Sequence, residues 1–87
     1  MKTQLSKMSN IGKVLAKNLI EVGIDTPEKL KSIGSENAFI RLKTIDSSAC
    51  LSKLCALEGA IQNIRWHRLD EVRKTELKTF FNYISTL

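Results

Sequence analysis

The 87-residue sequence contains one histidine, two cysteines and one proline, and these low counts limit the metal sites and disulfides that the chain can form. A protein metal centre usually needs a cluster of histidine, cysteine or carboxylate ligands at characteristic spacings, and no such cluster is present. Cys50 and Cys55 are five residues apart, so on a helix they would point about 140° away from each other, which disfavours a disulfide. We therefore expect no metal and no cofactor, and two reduced thiols that are buried and chemically unreactive.

Other features are missing entirely. No segment approaches the roughly 18 consecutive apolar residues that indicate a membrane-spanning helix. The first ten residues, MKTQLSKMSN, lack the apolar core of a signal peptide. No glycine-rich phosphate loop and no pairing of a nucleophile with an acid–base group can be found. We expect a cytoplasmic, non-enzymatic protein with no membrane contact and no evident small-molecule substrate.

The positive charge is unevenly distributed. The net charge is +5, and residues 1–20 contain four lysines and no acidic residue, namely Lys2, Lys7, Lys13 and Lys17. Residues 21–87 are close to neutral, with ten basic and nine acidic groups. A local basic patch is what an electrostatic contact with nucleic acid requires. A solvated lysine-rich surface without a ligand is the alternative interpretation, and four lysines do not separate the two.

The apolar residues recur every three or four positions throughout, which is the period of amphipathic helices. No segment alternates as a β-strand would. We predict an all-α fold for a single domain over residues 1–87, a compact bundle of five to six short helices. Residues 11–22, 27–33, 35–43, 47–63 and 70–84 form the main helices, after a short first helix around residues 5–8. The expected helix caps are Thr26, Ser35, and Asp46 or Ser47, with Gly23 as a left-handed stop.

The helix over residues 47–63 is the most apolar and is predicted to lie at the centre of the bundle. We expect Lys53, Glu58 and Gln62 to face solvent, and Gly59 to permit the close approach of another helix. The expected core residues are Leu54, Leu57, Ile61, Trp66 and Phe80. Trp66 beside His67 is interpreted as a packed junction, with the indole N–H and the imidazole hydrogen-bonded to nearby backbone, rather than as an active-site corner.

The turn Asn10-Ile11-Gly12-Lys13 separates the first two predicted helices. Asn10 and Gly12 tolerate positive φ, and the first amides of the following helix are left without intrahelical partners. Together with the helix dipole, such amides can bind a phosphate or a carboxylate. The segment resembles a helix-hairpin-helix unit, which grips the nucleic-acid backbone without reading sequence. That unit normally has glycine on both sides of the apolar turn residue, whereas here the first glycine is replaced by Asn10.

The candidate nucleic-acid-binding residues are therefore Asn10, Ile11, Gly12, Lys13 and Lys17. Hairpins of this type also occur as packing elements only. In that case the domain would be a protein–protein adaptor, and an exposed face would dock a transcription-regulator or polymerase partner. Both interpretations remain open at the level of sequence.

Two longer segments carry a wider resemblance that covers nearly the whole chain. NIGKVLAKNLIEVGIDTPEKLKSIGSENAFIRLK and ACLSKLCALEGAIQNIRWHRL are similar to the C-terminal domain of the TfoX (Sxy) family, with ALEGAIQ and IRWH as the distinctive parts. The resemblance implies an all-helical domain that begins with a helix-hairpin-helix-like unit. It also implies a bacterial protein linked to the regulation of DNA transformation competence. Full-length members carry an additional N-terminal α/β domain, so we expect a stand-alone version here.

Overall fold

The computed structural model describes residues 4–86, and within them it contains five α-helices, two short 3-10 helices and no β-strand. The α-helices are α1 (Lys13–Glu21), α2 (Pro27–Ile33), α3 (Ser35–Lys43), α4 (Leu51–Gln62) and α5 (Glu71–Ser85). The 3-10 helices are Gln4–Lys7 and Trp66–Arg68. The predicted all-α fold is confirmed. Lys2, one of the four lysines of the basic patch, lies outside the described residues.

Two of the predicted helix boundaries have the expected chemistry. Gly23 ends the α1 segment at φ 88°, and the next amide, that of Ile24, donates to the carbonyl of Leu19 at 2.8 Å. The Thr26 side chain then caps α2 by accepting from the backbone N–H of Lys29 at 3.1 Å. Pro27 occupies the first turn, where its missing N–H costs nothing.

Two other predicted caps are wrong. Ser35 is the first residue of α3 rather than its cap, and its buried hydroxyl donates to Glu58 instead. Helix α4 begins only at Leu51, after Cys50. Asp46 does not cap it, because its carboxylate accepts from the backbone N–H and hydroxyl of Ser48. This local turn competes with helix formation, so the helix starts later than residue 47.

The core surrounds α4, which packs against α2, α3, α5 and the second 3-10 helix. Leu54 and Leu57 are completely buried, as predicted. Ile61, Trp66 and Phe80 are only half-buried and pack against the edge of the core. The segment before α1 and one face of α1 join this core through Leu5, Ile11, Leu15, Ala16 and Leu19. The start of α1 is thereby anchored while its outer face stays open.

The longest helix in the described part of the chain is α5, with 15 residues. Crossing a bilayer takes about 20 apolar residues. None of the described helices combines the length and the apolar character that a membrane span requires.

Candidate nucleic-acid interface

The sequence allowed positive φ at both Asn10 and Gly12 in the turn before α1, and of the two only Asn10 adopts it. Asn10 adopts φ 70°, and the amide of Ile11 closes the turn by donating to the carbonyl of Met8 at 3.3 Å. The Ile11 side chain is buried in the core. Gly12 follows with extended backbone and occupies the N-cap position of α1. The apolar residue therefore fixes the turn on the domain, and the glycine begins the exposed part.

The side chain of Asn10 points into the protein and not toward solvent. Its amide nitrogen donates to the carbonyl of Ile64 at 2.8 Å and more weakly to that of Ala56 at 3.4 Å. Its amide oxygen accepts from the backbone N–H of Trp66 at 3.1 Å. Among the five candidate residues, Asn10 and Ile11 thus hold the turn in place. Gly12, Lys13 and Lys17 are the ones that reach the surface.

The N-terminus of α1 carries no side-chain cap. Gly12 has no side chain to offer, and the first intrahelical bond runs from the N–H of Ala16 to the carbonyl of Gly12 at 3.0 Å. The amides ahead of Ala16 therefore lack intrahelical partners. A Cβ atom at Gly12 would meet nothing within 4 Å, so packing does not require a glycine there. The open position leaves the amides accessible to an anion.

Lys13 and Lys17 are both exposed and lie four residues apart, on the same side of α1. No ion pair or hydrogen bond within residues 4–86 engages either ammonium group. The first turn of α1 also contains no acidic residue. The helix dipole and the two lysines therefore add up to a local positive potential at this end of the domain.

The Trp66–His67 pair does not have the hydrogen bonds that we expected. The two rings stack with centroids 4.0 Å apart and an interplanar angle of 29°. Within the described part of the chain, neither the indole N–H nor the imidazole makes a hydrogen bond. The hydrogen bonds of this segment involve backbone groups instead. The backbone N–H of Trp66 donates to the Asn10 side chain, and the Lys74 ammonium group donates to the His67 carbonyl at 3.1 Å. Trp66 packs against the core at this junction, as predicted, while His67 is exposed.

Glu58 was expected at the surface, and this expectation is wrong. Its side chain is only 11% exposed and accepts from the Ser35 hydroxyl at 2.6 Å and from Gln62 at 2.6 Å. Arg73 of α5 completes the cluster with an ion pair of 3.0 Å. Burial raises the pKa of Glu58, but the hydrogen bonds from Arg73, Ser35 and Gln62 together bring this pKa below its ordinary value.

The Glu58 cluster joins α3, α4 and α5, and its members hydrogen-bond to one another. The guanidinium of Arg73 also pairs with Glu36 at 3.3 Å and with Glu76 at 3.1 Å. No buried side-chain nitrogen or oxygen within residues 4–86 lacks a hydrogen-bond partner. The only signal in the sequence was a carboxylate inside the otherwise apolar stretch ALEGAI. The cluster is a structural joint and not a ligand site.

The two cysteines differ in solvent exposure, although the sequence predicted that both are buried. Cys55 is buried, which raises the pKa of its thiol. Cys50 is exposed at the N-cap of α4, and the prediction that it is buried is wrong. The nearby backbone N–H of Lys53 lowers the pKa of the Cys50 thiol, although the Cys50 side chain makes no capping hydrogen bond. Among the described residues, no group of three His, Cys, Asp or Glu side chains could hold a metal ion.

Comparisons with known proteins agree with this helical architecture. Two crystal structures from Listeria monocytogenes are similar to this chain, and both are described as proteins of uncharacterised or unknown function. The triclinic form is 56% identical, with a TM-score of 0.92 over 93% of this chain and 92% of that one. The tetragonal form is 57% identical, with a TM-score of 0.88 over 91% of this chain and 98% of that one. A search of curated proteins finds no match.

The family comparison covers almost the entire sequence. The family model that matches is the TfoX C-terminal domain, and the match extends over residues 1–81. It includes the turn before α1, the central helix and most of α5. The chain belongs to the TfoX C-terminal domain family.

Proposed function

We propose that this domain is a non-enzymatic module of TfoX-type competence regulation that binds the nucleic-acid backbone weakly through the turn before α1. The observation that carries the proposal is the uncapped N-terminus of α1, with Gly12 open to solvent and Lys13 and Lys17 exposed beside it. Backbone amides and ammonium groups both complement phosphate oxygens. Neither group reads bases, so little sequence preference is expected.

The strength of such a contact can be bounded. Non-specific binding to nucleic acid typically has a Kd of about 10⁻⁴–10⁻⁶ M at physiological salt. Each neutralised phosphate contributes about −0.9 to the slope of log K against log salt concentration on duplex DNA. Two to four phosphates at the turn would thus give a slope of roughly −2 to −4. The binding should therefore be weak, with a shallow dependence on salt concentration.

Charge reversal tests this proposal. The double variant Lys13→Glu with Lys17→Glu should abolish binding to a fluorescently labelled mixed-sequence duplex, measured by anisotropy at low salt. Its melting temperature should hardly change, because both side chains face solvent. The matched control is Lys43→Glu with Lys78→Glu, which produces the same change in net charge on α3 and α5. If the control loses as much affinity as the α1 variant, overall charge is responsible and the turn is not the site.

A protein–protein adaptor is the second candidate, and one observation favours it. Val72 and Tyr83 are 67% and 64% exposed on α5. They are eleven residues apart, so they lie within about 20° of each other on the helix surface. A partner such as a transcription regulator or a polymerase subunit could cover these two exposed apolar side chains. The adaptor hypothesis requires negligible DNA affinity of the native domain even at low salt, the reverse of the result expected above.

A further inference from the structure

A second turn in the domain repeats the backbone of the turn before α1. Asn63 ends α4 at φ 60°, close to the φ 70° of Asn10, and these are the only non-glycine residues with positive φ in residues 4–86. Each asparagine is followed by an isoleucine and then by a residue in extended conformation, Gly12 in one turn and Arg65 in the other. A helical segment starts immediately afterwards in both cases.

The two turns are bonded directly to each other. The Asn10 side chain, described above, donates to the carbonyl of Ile64 and accepts from the N–H of Trp66. Both partner atoms belong to the second turn or to the residue that follows Arg65. The two turns therefore lie next to each other. The hydrogen bonds also fix the relative position of the two turns.

The exposed cations that have no partner concentrate around these turns. Lys7, Lys13 and Lys17 flank the first turn, and Arg65 and Arg68 belong to the second. None of the five makes an ion pair or a side-chain hydrogen bond with residues 4–86. Among the other basic side chains in residues 4–86, Lys29, Lys53, Arg73 and Lys74 pair with carboxylates, and Arg41 and Lys43 donate to backbone carbonyls.

Two acidic residues stand near the second turn, but both have partners. Asp70 accepts from the backbone N–H of Val72 at 3.1 Å, and Glu71 pairs with Lys74 at 3.5 Å. A cleft on the other side is lined by Lys7, Lys31 and Asn63, among others. Lys7, next to the first turn, and Asn63 of the second turn therefore line the same cleft.

We propose that the segment Asn63–Arg68 is the second half of a two-turn interface for double-stranded DNA. Arg65 and Arg68 contact phosphates that the N-terminus of α1 does not reach. The guanidinium group suits this role, because its fork of N–H donors matches the geometry of phosphate oxygens. The inference rests on the proposed function, since it extends the same interface. It adds two contact residues and predicts a larger number of phosphates per bound domain.

Single neutralising variants test this inference on the full chain. Salt titrations by fluorescence anisotropy on a mixed-sequence duplex would compare Arg65→Gln and Arg68→Gln with Lys13→Gln. In each variant the magnitude of the slope of log K against log salt concentration should fall by about 0.9, the contribution of one phosphate contact. Arg65→Lys should keep the slope, because a lysine retains the charge. The control is Lys78→Gln, which removes one exposed, unpaired charge about two helical turns into α5 and should leave the slope unchanged.

The outcomes separate the inference from the proposed function. A loss of slope in both arginine variants and in Lys13→Gln supports the two-turn interface. If only Lys13→Gln loses slope, while both arginine variants behave like Lys78→Gln, the inference is overturned and the proposed function stands. If the native domain shows no salt-dependent binding, both are overturned. Because neither arginine side chain has a partner inside the described domain, a failure to fold is not an expected explanation.

Discussion

A Cβ atom at Gly59 would lie 2.5 Å from the side-chain nitrogen of Asn10, so the central helix can contact the turn before α1 only at a residue without a side chain. The same Cβ would lie 2.8 Å from the carbonyl oxygen of Ile64 and 3.1 Å from the Cα of Trp66. The close approach that the sequence predicted at Gly59 is real. Its partner is the pair of bonded turns and not another long helix.

Gly59→Ala should destabilise the domain. Alanine would gain about 1 kcal/mol of helix propensity. The clash involves backbone atoms that cannot move freely, so we expect a net loss of about 1–3 kcal/mol. For a domain of this size, this corresponds to about 4–8 °C in melting temperature per kcal/mol. Thermal unfolding, monitored by circular dichroism, measures this change in melting temperature. Gly12→Ala is the control, since nothing lies within 4 Å there; equal shifts in the two variants would contradict the account.

Asn10→Gly should destabilise the domain although glycine suits the left-handed backbone. The substitution leaves the N–H of Trp66 and the carbonyl of Ile64 without the Asn10 side chain, at a cost of about 1–3 kcal/mol. Asn63→Gly is the matched control, because Asn63 has the same conformation and an exposed side chain. Chemical denaturation of both variants isolates the contribution of the amide. A similar loss of stability in both would show that these hydrogen bonds contribute little.

Glu58 should make the stability of the domain depend on acid pH. Its pKa in the folded protein is below the ordinary value of 4.5, so the unfolded state binds protons more readily. The contribution of Glu58 is therefore complete above about pH 4.5 and is lost as the pH falls through the folded-state pKa. Glu58→Gln should cost about 1–3 kcal/mol at neutral pH. Below pH 4.5 the difference from the native protein should shrink.

The exposed partner in the same cluster provides the control for Glu58. The side chain of Glu76 is 58% exposed, so Glu76→Gln should have a much smaller effect at neutral pH. Asp46 also titrates at acid pH, with a pKa of about 2, but it is unchanged in both variants. Urea denaturation at several pH values measures these differences. A constant difference between native protein and Glu58→Gln across the acid range would contradict the assignment.

The two thiols should react at different rates. Cys50 is exposed and the backbone amides at the start of α4 lower the pKa of its thiol, so it should be modified first by a thiol reagent on the native protein. Cys55 should react only on unfolding, because its buried thiol has a raised pKa. Cys50→Ser should eliminate the fast phase and keep the fold, since serine also suits an N-cap. Equal rates for both thiols would contradict the placement of Cys50.

The elements that were predictable from the sequence are those whose chemistry is local. The Thr26-Pro27 start of α2 and the Gly23 stop of α1 depend on neighbouring residues only, and both were predicted correctly. The left-handed conformation of Asn10 was likewise a local expectation.

The expectations that failed depend on partners distant in sequence. Glu58 looks solvent-facing until Arg73, fifteen residues later, is placed beside it. The Asn10 side chain finds its partners more than fifty residues away, at Ile64 and Trp66. Asp46 is a different case, in which two local arrangements were possible and the turn with Ser48 was favoured. The lysines of the candidate interface could be identified from sequence, but the contact between their turn and the turn that contains Arg65 could not.

The most direct test of the account is an amide chemical-shift titration of the isotope-labelled domain with a short mixed-sequence DNA duplex. If both turns contact DNA, the largest changes occur at the amides of Gly12–Leu15, with a second group at Arg65–Arg68, and added salt reverses both. Changes confined to the Val72–Tyr83 face of α5, or no changes at low salt, would contradict it.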